Sequence, residues 1–328
     1  MKLIILIPAY NEEENISRSI AAIPPKFESI DSIKTLVIDD GSTDRTAEKA
    51  TEAGAIVISH SYNRGVGTAF RTGLDKALEL GADLLVNIDA DGQFSPSDIP
   101  ALIKPILDGK ADFVSGDRFT RADGKSLKPE FMSGIKYWGN RQMSKLISRI
   151  VGKEYPDVSC GFRAYSKEAM LRLNLTGSFT YTQETFLDLA NKGLKIRTLP
   201  VSIKYFPERK SRVAGNIIKY FFNTIKIIIR AYRDYQPLRF FGALGLLPFI
   251  GSFATGLFTL IHYLKTGAFS PYKVVGFVGV YLLSLAILLW IVGLLADMFV
   301  RIRKNEETLI YFEKLKLHSR ATLNKNSE

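Results

Sequence analysis

The chain has 328 residues, 44 Lys and Arg against 33 Asp and Glu, a formal net charge of +11 and a hydrophobic fraction of 46%. Its single cysteine, Cys160, excludes an intramolecular disulfide and a Cys-rich zinc site, and three histidines far apart in sequence (His60, His262, His318) argue against a His-based metal centre or a Ser-His-Asp hydrolase. The basic balance suits an anionic partner, and two long uncharged apolar segments make that partner a membrane rather than nucleic acid.

In chain order, "LIILIPAY" reads as a first strand; its apolar run is too short for a signal peptide, and Pro8 interrupts it. Asn11 is the expected N-cap of a helix through "EEENISRSIAAI", with Glu14 three residues on as in a capping box. "TLVIDD" is a second strand ending in Asp39 and Asp40, followed by the helix after "GSTD". "AIVISH" is a third strand, "NRGVGTAFRTGLDKALELG" a glycine-rich turn and helix, and "DLLVNIDAD" a fourth strand. Then come a helix in "SPSDIPALIKPIL", a strand in "ADFVSGDRF" ending at Arg118, and a polar stretch, 120–130, expected to be a mobile loop. "YWGNRQMSKLISRIV" is helical, "SCGFRAY" a turn and strand, "QETFLDLANKGL" a helix and "KIRTLPVSI" a last strand. Strands alternating with amphipathic stretches predict an α/β fold with a mostly parallel sheet, in which ligands bind outside the carboxyl ends of the strands. Asp39, Asp40, Asp89 and Asp91 all fall at such ends.

After the basic loop "FPERKSR", Lys219, Lys226, Arg230 and Arg233 form one stripe at 100° per residue, while Ile218, Phe221, Phe222, Ile225, Ile229 and Tyr232 gather opposite. The pattern predicts an interfacial helix; a helix packed on the preceding domain with a solvated charged face is the alternative. Phe240 to Leu264 and Val274 to Ala296 hold no Asp, Glu, Lys or Arg, and each exceeds the ~20 helical residues that cross a bilayer core. Lys226, Arg230, Arg233 and Arg239 precede this hairpin and Arg301, Arg303 and Lys304 follow it, against Lys265 and Lys273 in its loop. Basic residues favour the cytoplasmic side, so both chain ends and the N-terminal domain are expected there. The expected organisation is a catalytic domain at 1–212, an interfacial helix at 213–237, a transmembrane hairpin at 238–300 (spans about 240–264 and 274–296) and a basic cytoplasmic tail at 301–328.

The candidate chemistry lies in "NIDADGQF". Residues two apart in an extended segment face the same way, so Asp89 and Asp91 can approach one divalent cation and Gln93 can add a neutral oxygen. Oxygen ligands suit Mg²⁺, which keeps waters and often binds phosphate oxygens, so such a site is suited to a diphosphate.

"IPAYNEEENI", "VIDDGSTDRT", "NRGVGTAFRTGLDKA", "NIDADGQFSPSDI" and "SCGFRAY", in that order across about residues 3–240, resemble the inverting family 2 glycosyltransferases of the GT-A fold. With the hairpin, the chain is similar to the dolichol-phosphate mannose synthase branch, which transfers a hexose from a nucleotide sugar to a polyprenyl phosphate. The resemblance implies that Pro8, Tyr10, Glu12 and Asp40 line a nucleoside pocket beside Asp89, and that Asp89, Asp91 and Gln93 hold Mg²⁺ or Mn²⁺ and the diphosphate. It also implies that Gln183 and Glu184 sit near sugar and acceptor, although a carboxylate at a helix N-terminus explains Glu184 equally well. Tyr10 offers a flat face to a base, and Glu12 and Asp40 can accept from base or ribose donors; one of Asp39 and Asp40, expected to be Asp39, serves the turn instead. A phosphate monoester is already anionic near neutrality and needs positive charge rather than a base. Arg118, Arg163, Arg209, Lys210 and Arg212 are the candidates to hold it, with exposed strand-end charge as the alternative. Lys210 stands where the family usually has glycine, and Phe94 where many relatives carry histidine.

A dinucleotide-binding oxidoreductase, suggested by "GVGTAFRTG", leaves the acid pair without a role. A polysaccharide-extending transferase or a silent membrane scaffold is the other rival. Nucleobase, sugar, polyprenol length and oligomeric state, a homo-oligomer included, are left open.

Overall fold

Leu3 to Ile7 are wholly buried, the pattern of a strand covered on both faces, and they form the centre of β1 (Lys2–Ala9). The computed structural model describes residues 1–121, 123–175, 181–204, 229–230 and 232–325, with side chains to 319. These fall into two units, Met1–Phe222 together with Leu309–Glu328, and Asn223–Thr308.

In the first unit, β1 is joined by β2 (Ser32–Asp39), β3 (Ile56–Ser59), β4 (Leu84–Asn87), β5 (Phe113–Asp117), β6 (Arg163–Ser166) and β7 (Ile196–Pro200). The sheet order is β3-β2-β1-β4-β6-β5-β7. Only β6 runs antiparallel, pairing β4 with Asn87 opposite Arg163 and β5 with Ser115 opposite Arg163. This register brings the turn before β6 beside the residues that follow β4. Helices α1 (Ile16–Ala21), α2 (Thr46–Glu52), α3 (Val66–Glu79), α4 (Ile99–Leu107), α5 (Gly134–Val151), α6 (Lys167–Arg172) and α7 (Tyr181–Asn191) complete the unit.

Three local expectations change. α1 begins at Ile16, not after Asn11, and its N-cap residue is Asn15. Asn11 adopts a left-handed φ of 51°, and its side chain accepts from the Thr43 amide at 2.8 Å while its own amide donates to Ser42 Oγ at 2.9 Å. Short polar side chains tolerate that conformation and compete with helix for backbone partners, so Asn11 joins the loop after β1 to the loop after β2. The stretch expected to be mobile turns back on itself, with Arg121 N–H donating to Lys125 O at 2.8 Å and a bridge between Thr120 and Ser126. α6 was not foreseen; Ser166, whose hydroxyl accepts from Ala169 N, caps it directly after β6.

The 309–319 segment packs on this first unit. Tyr311 donates to Glu168 at 3.2 Å, Lys314 Nζ to the carbonyl of Leu173 at 2.8 Å, and His318 Nε2 lies 3.2 Å from the carbonyl of Ala82. Ala82 precedes β4, so this helical end lies at the sheet's amino ends, opposite the acid-bearing strand termini.

The second unit holds α8 (Pro237–Thr266) and the start of α9 (Lys273–Lys325), both long and apolar enough to cross a membrane. Only 6% of the most apolar window of α8 and 17% of that of α9 is buried, which a soluble core helix does not tolerate. The helices meet through small residues: a Cβ on Gly245 would lie 2.5 Å from Trp290 Nε1, and one on Gly279 2.7 Å from Thr255 Oγ1. Arg209, Lys210, Arg212 and most of the expected interfacial helix lie outside the described residues.

Candidate active site

β4 delivers Asn87 fully buried, and two residues later the chain leaves the sheet with Asp89 and Asp91 half-buried at its carboxyl edge. Burial, and then the neighbouring Asp91 charge, push the Asp89 carboxyl up to about 7, against the pull of Arg118 and Arg163; Glu12 adds to the rise. Asp91 accepts the Gln93 amide at 3.1 Å, and the Gln93 carbonyl accepts from Lys204 N at 2.9 Å, so the backbone of "DGQ" is pinned at both ends. Two neighbouring carboxylates, one driven toward neutrality by burial and then by the other's charge, suit a divalent cation, which would offset both effects.

A second loop closes over Asp89. A Cβ on Gly161 would lie 2.7 Å from Asp89 Oδ2 and 2.9 Å from Oδ1, so only glycine lets the turn approach the carboxylate this closely. The turn is held from beneath: Arg163 donates through Nε to the Cys160 carbonyl at 2.6 Å and through Nη2 to Val158 O at 2.9 Å, and Asn87 Nδ2 donates to Gly161 O at 2.8 Å. Arg163 is 0% exposed, with its guanidinium 5.3 Å from the Phe186 ring and 5.5 Å from that of Phe113. This corrects the expectation that Arg163 holds an acceptor phosphate. A fully enclosed guanidinium cannot touch such a group; it fixes the turn against Asp89. Phe94, 4% exposed, packs on Phe162 of the same turn at 5.3 Å.

Arg118 follows β5 and is 9% exposed. It makes a bidentate pair with the fully buried Asp157, Nε to Oδ2 at 2.6 Å and Nη2 to Oδ1 at 3.0 Å, and donates to Ser159 Oγ at 3.0 Å. Burial opposes ionisation of Asp157, but the Arg118 charge and hydrogen bonds, with the Ser159 amide, hold its carboxyl below the usual range. Lys136, in the first turn of α5, belongs to the same electrostatic group: burial and then Arg118 lower its amine, while Asp91 raises it.

On the other side, Pro8, Tyr10 and Glu12 are half-buried along β1 and the loop after it. The Glu12 amide donates to Thr46 Oγ1 at 2.8 Å, and its carboxylate accepts from Asn15 Nδ2 at 3.1 Å. Asp39 accepts the Ser42 amide at 3.1 Å, a turn contact. Asp40 is 3% exposed and equally engaged: Oδ1 meets His60 Nδ1 at 2.7 Å and the Arg64 amide at 3.0 Å, and Oδ2 takes the Gly65 amide at 2.8 Å. It therefore shapes this side of the cleft through the turn before α3. Gln183 is buried and accepts from Thr182 Oγ1 at 2.8 Å, and Glu184 is half-buried one residue on. Tyr181, earlier on the same helix, meets Asn87 Nδ2 at 3.3 Å, and its hydroxyl pKa is raised well above the ordinary value by burial and then by Asp89.

The structure thus brings together Asp89, Asp91, Arg118 and the turn fixed by Arg163, and adds Asn87, Lys136, Asp157, Gly161 and Tyr181. Asn87 opens the "NIDADGQF" motif and Gly161 lies inside "SCGFR", so both were signalled. Asp157 and Lys136 are lone charges in otherwise ordinary segments, and nothing local marks them.

The pattern of Glycosyl transferase family 2 matches residues 4–173. The UDP-N-acetylglucosamine--dolichyl-phosphate N-acetylglucosaminyltransferase of Methanococcus voltae is 35% identical over 221 residues, 61% of this chain and 85% of that one. The polyprenol monophosphomannose synthase of Mycolicibacterium smegmatis is 26% identical over 235 residues, covering 66% and 83%. Among solved structures, glucosyl-3-phosphoglycerate synthase from Mycobacterium tuberculosis, in complex with Mn²⁺, UDP-glucose and phosphoglyceric acid, superposes with a TM-score of 0.54 at 21% identity, over 69% of this chain and 79% of that chain. The mixed, mainly parallel sheet followed by two long apolar helices is a Rossmann-like GT-A architecture.

Proposed function

The chain belongs to glycosyl transferase family 2, and we propose that it transfers a hexose, mannose or glucose, from a GDP- or UDP-linked donor to a dolichyl or undecaprenyl phosphate, with inversion at the anomeric carbon. The observation that carries this reading is the half-buried acid pair Asp89 and Asp91 at the carboxyl edge of β4, with the Gly161 turn closed against Asp89 and the charges of Arg118 and Lys136 within electrostatic reach. Among the described residues no three Asp, Glu, His or Cys side chains form a complete metal cage. Asp89 and Asp91, with Gln93, would hold Mg²⁺ or Mn²⁺, and donor phosphates and water would supply the remaining ligands. When bound, the cation neutralises charge on the departing nucleoside diphosphate.

The chain's own residues divide the remaining work. Pro8, Tyr10, Glu12 and the turn held by Asp40 form the wall for the nucleoside. Arg118 and Lys136, with Arg209, Lys210 and Arg212 beyond the described residues, hold the anionic acceptor in line, and Gln183 and Glu184 face the sugar. Since a phosphate monoester has a second pKa of about 6, no side chain has to remove its proton. His60, 2.7 Å from Asp40, is accordingly a structural partner of that turn. The two apolar helices cross the bilayer and keep the domain on the cytoplasmic leaflet, beside an acceptor that cannot leave lipid.

A second donor, an N-acetylglucosamine nucleotide, is favoured by the 35% identity to a transferase named for that sugar. Transfer to another glycolipid or polysaccharide acceptor is the alternative on the acceptor side. The test is incubation with a panel of nucleotide sugars, either polyprenyl phosphate, and Mg²⁺ or Mn²⁺, with products read by mass. A polyprenyl-phosphate glycoside lost in Asp91→Asn supports the proposal; no product with any donor, lipid or cation overturns it.

A further inference from the structure

The first turn of α5 breaks the usual rule for a helix on a soluble domain. Its inward face is ordinary, with Asn140, Met143, Ser144 and Ile147 buried. Its outward face begins with Ile135, 59% exposed, and Trp138, 58% exposed. Just before the helix, Phe131 is 72% exposed at a positive φ of 60°, a backbone state that a bulky residue adopts only under constraint. Three large apolar side chains within eight residues are thus held in solvent, one of them at a conformational penalty. The same outward face continues through Gln142 to the exposed Lys145 and Arg149, and the preceding turn adds exposed Lys125 and Lys128. Between Arg121 and Arg149 the chain carries seven basic and two acidic residues.

We propose that Phe131, Ile135 and Trp138 seat the catalytic unit in the headgroup–acyl boundary of an anionic bilayer. Apolar and aromatic residues enter that boundary while Lys and Arg around them pair with lipid phosphates, and tryptophan in particular favours it. Charge selects lipid over a second copy of this basic chain, since two such faces would repel. The location also fits: Lys136, between Ile135 and Trp138 in sequence, is half-buried where those two are exposed, and it lies within electrostatic reach of Arg118 and Asp91. The contact therefore lies at the rim of the candidate site, where a lipid-borne phosphate would enter. The inference rests on membrane association and not on the identity of the sugar.

The chain has two tryptophans, so subtracting the emission of Trp138→Phe from that of the wild type isolates Trp138. The full chain is placed in nanodiscs of phosphatidylglycerol and phosphatidylcholine brominated at shallow or deep acyl positions. The expected result is strong loss of Trp138 emission with shallow bromines and weaker loss with deep ones. Emission indifferent to bromine at both depths overturns the proposal. So does protection from bromine with a blue shift that grows with protein concentration, which would make the face an interface between copies. As a second arm, Phe131→Ser/Ile135→Ser/Trp138→Ser is expected to raise the KM for lipid acceptor several-fold and leave the KM for nucleotide sugar unchanged; equal KM values in variant and wild type overturn it. The quenching arm needs no turnover, so failure of the glycosyl-transfer reading leaves it intact and its own failure is recognisable.

Discussion

Replacing Gly161 with alanine tests how tightly the acid pair is set. The added Cβ would lie 2.7 and 2.9 Å from the two Asp89 oxygens and 3.1 Å from Cγ. Relief requires a displacement on the order of half an ångström to reach ordinary contact. The turn cannot easily yield, because the carbonyls of Val158, Cys160 and Gly161 are held by Arg163 and Asn87. Asp89 therefore moves instead, carrying its oxygens off the positions they share with Asp91. Mg²⁺ requires ligand distances of about 2.0–2.1 Å in near-ideal geometry, so a shift of that size disrupts its shell. Changes in groups that orient metal ligands weaken metal binding by about 10–100-fold, or ~1.4–2.8 kcal/mol. The assay is calorimetric titration of Mn²⁺ in the presence of UDP or GDP, with thermal melting to confirm the fold. Wild-type affinity in Gly161→Ala would refute the assignment of Asp89 as a ligand whose position the turn dictates.

Asp157→Ala leaves the Arg118 guanidinium buried without its carboxylate and is expected to destabilise the catalytic unit by about 3–5 kcal/mol, read as a lower midpoint in denaturant. The same pair makes stability pH-dependent. Because the folded Asp157 pKa is depressed, its contribution is complete above the unfolded value of about 3.9 and disappears as pH falls through the folded value. Arg118→Met/Asp157→Leu should flatten the acid limb of the melting curve; an unchanged limb would assign acid lability to other groups. Arg163→Met keeps most of the packing but removes both carbonyl contacts, so metal affinity and kcat should fall together. A rise confined to the KM for the lipid acceptor would instead restore Arg163 as a phosphate contact.

Strand identity was readable because β1 and β4 hold unbroken apolar runs, Leu3–Ile7 and Leu84–Val86, while β2 and β5 run from apolar residues into Asp39 and Asp117. The reversed direction of β6 was not readable, since "FRAY" has the same composition in either orientation. Asp89 and Asp91 stood out by spacing and by their place after β4. Arg163 misled because a guanidinium at a strand-end turn suggests a phosphate, whereas the three aromatic rings that enclose it come from segments distant in sequence and turn it onto the carbonyls of its own loop, Val158 and Cys160. Asn11 misled for a related reason: its polarity and position fit a helix cap, but a stronger partner waited 32 residues away at Thr43.

The packing of Tyr311, Lys314 and His318 on α6 and the approach to β4 bears on how this enzyme is cut for study. A recombinant fragment stopping before the apolar helices would lack part of its own surface, exposing the patch those side chains cover. Such a fragment should aggregate or melt early, and a synthetic 309–325 peptide supplied in trans should rescue it. Carboxy-terminal fusions, often regarded as harmless handles, would be attached to a structural member.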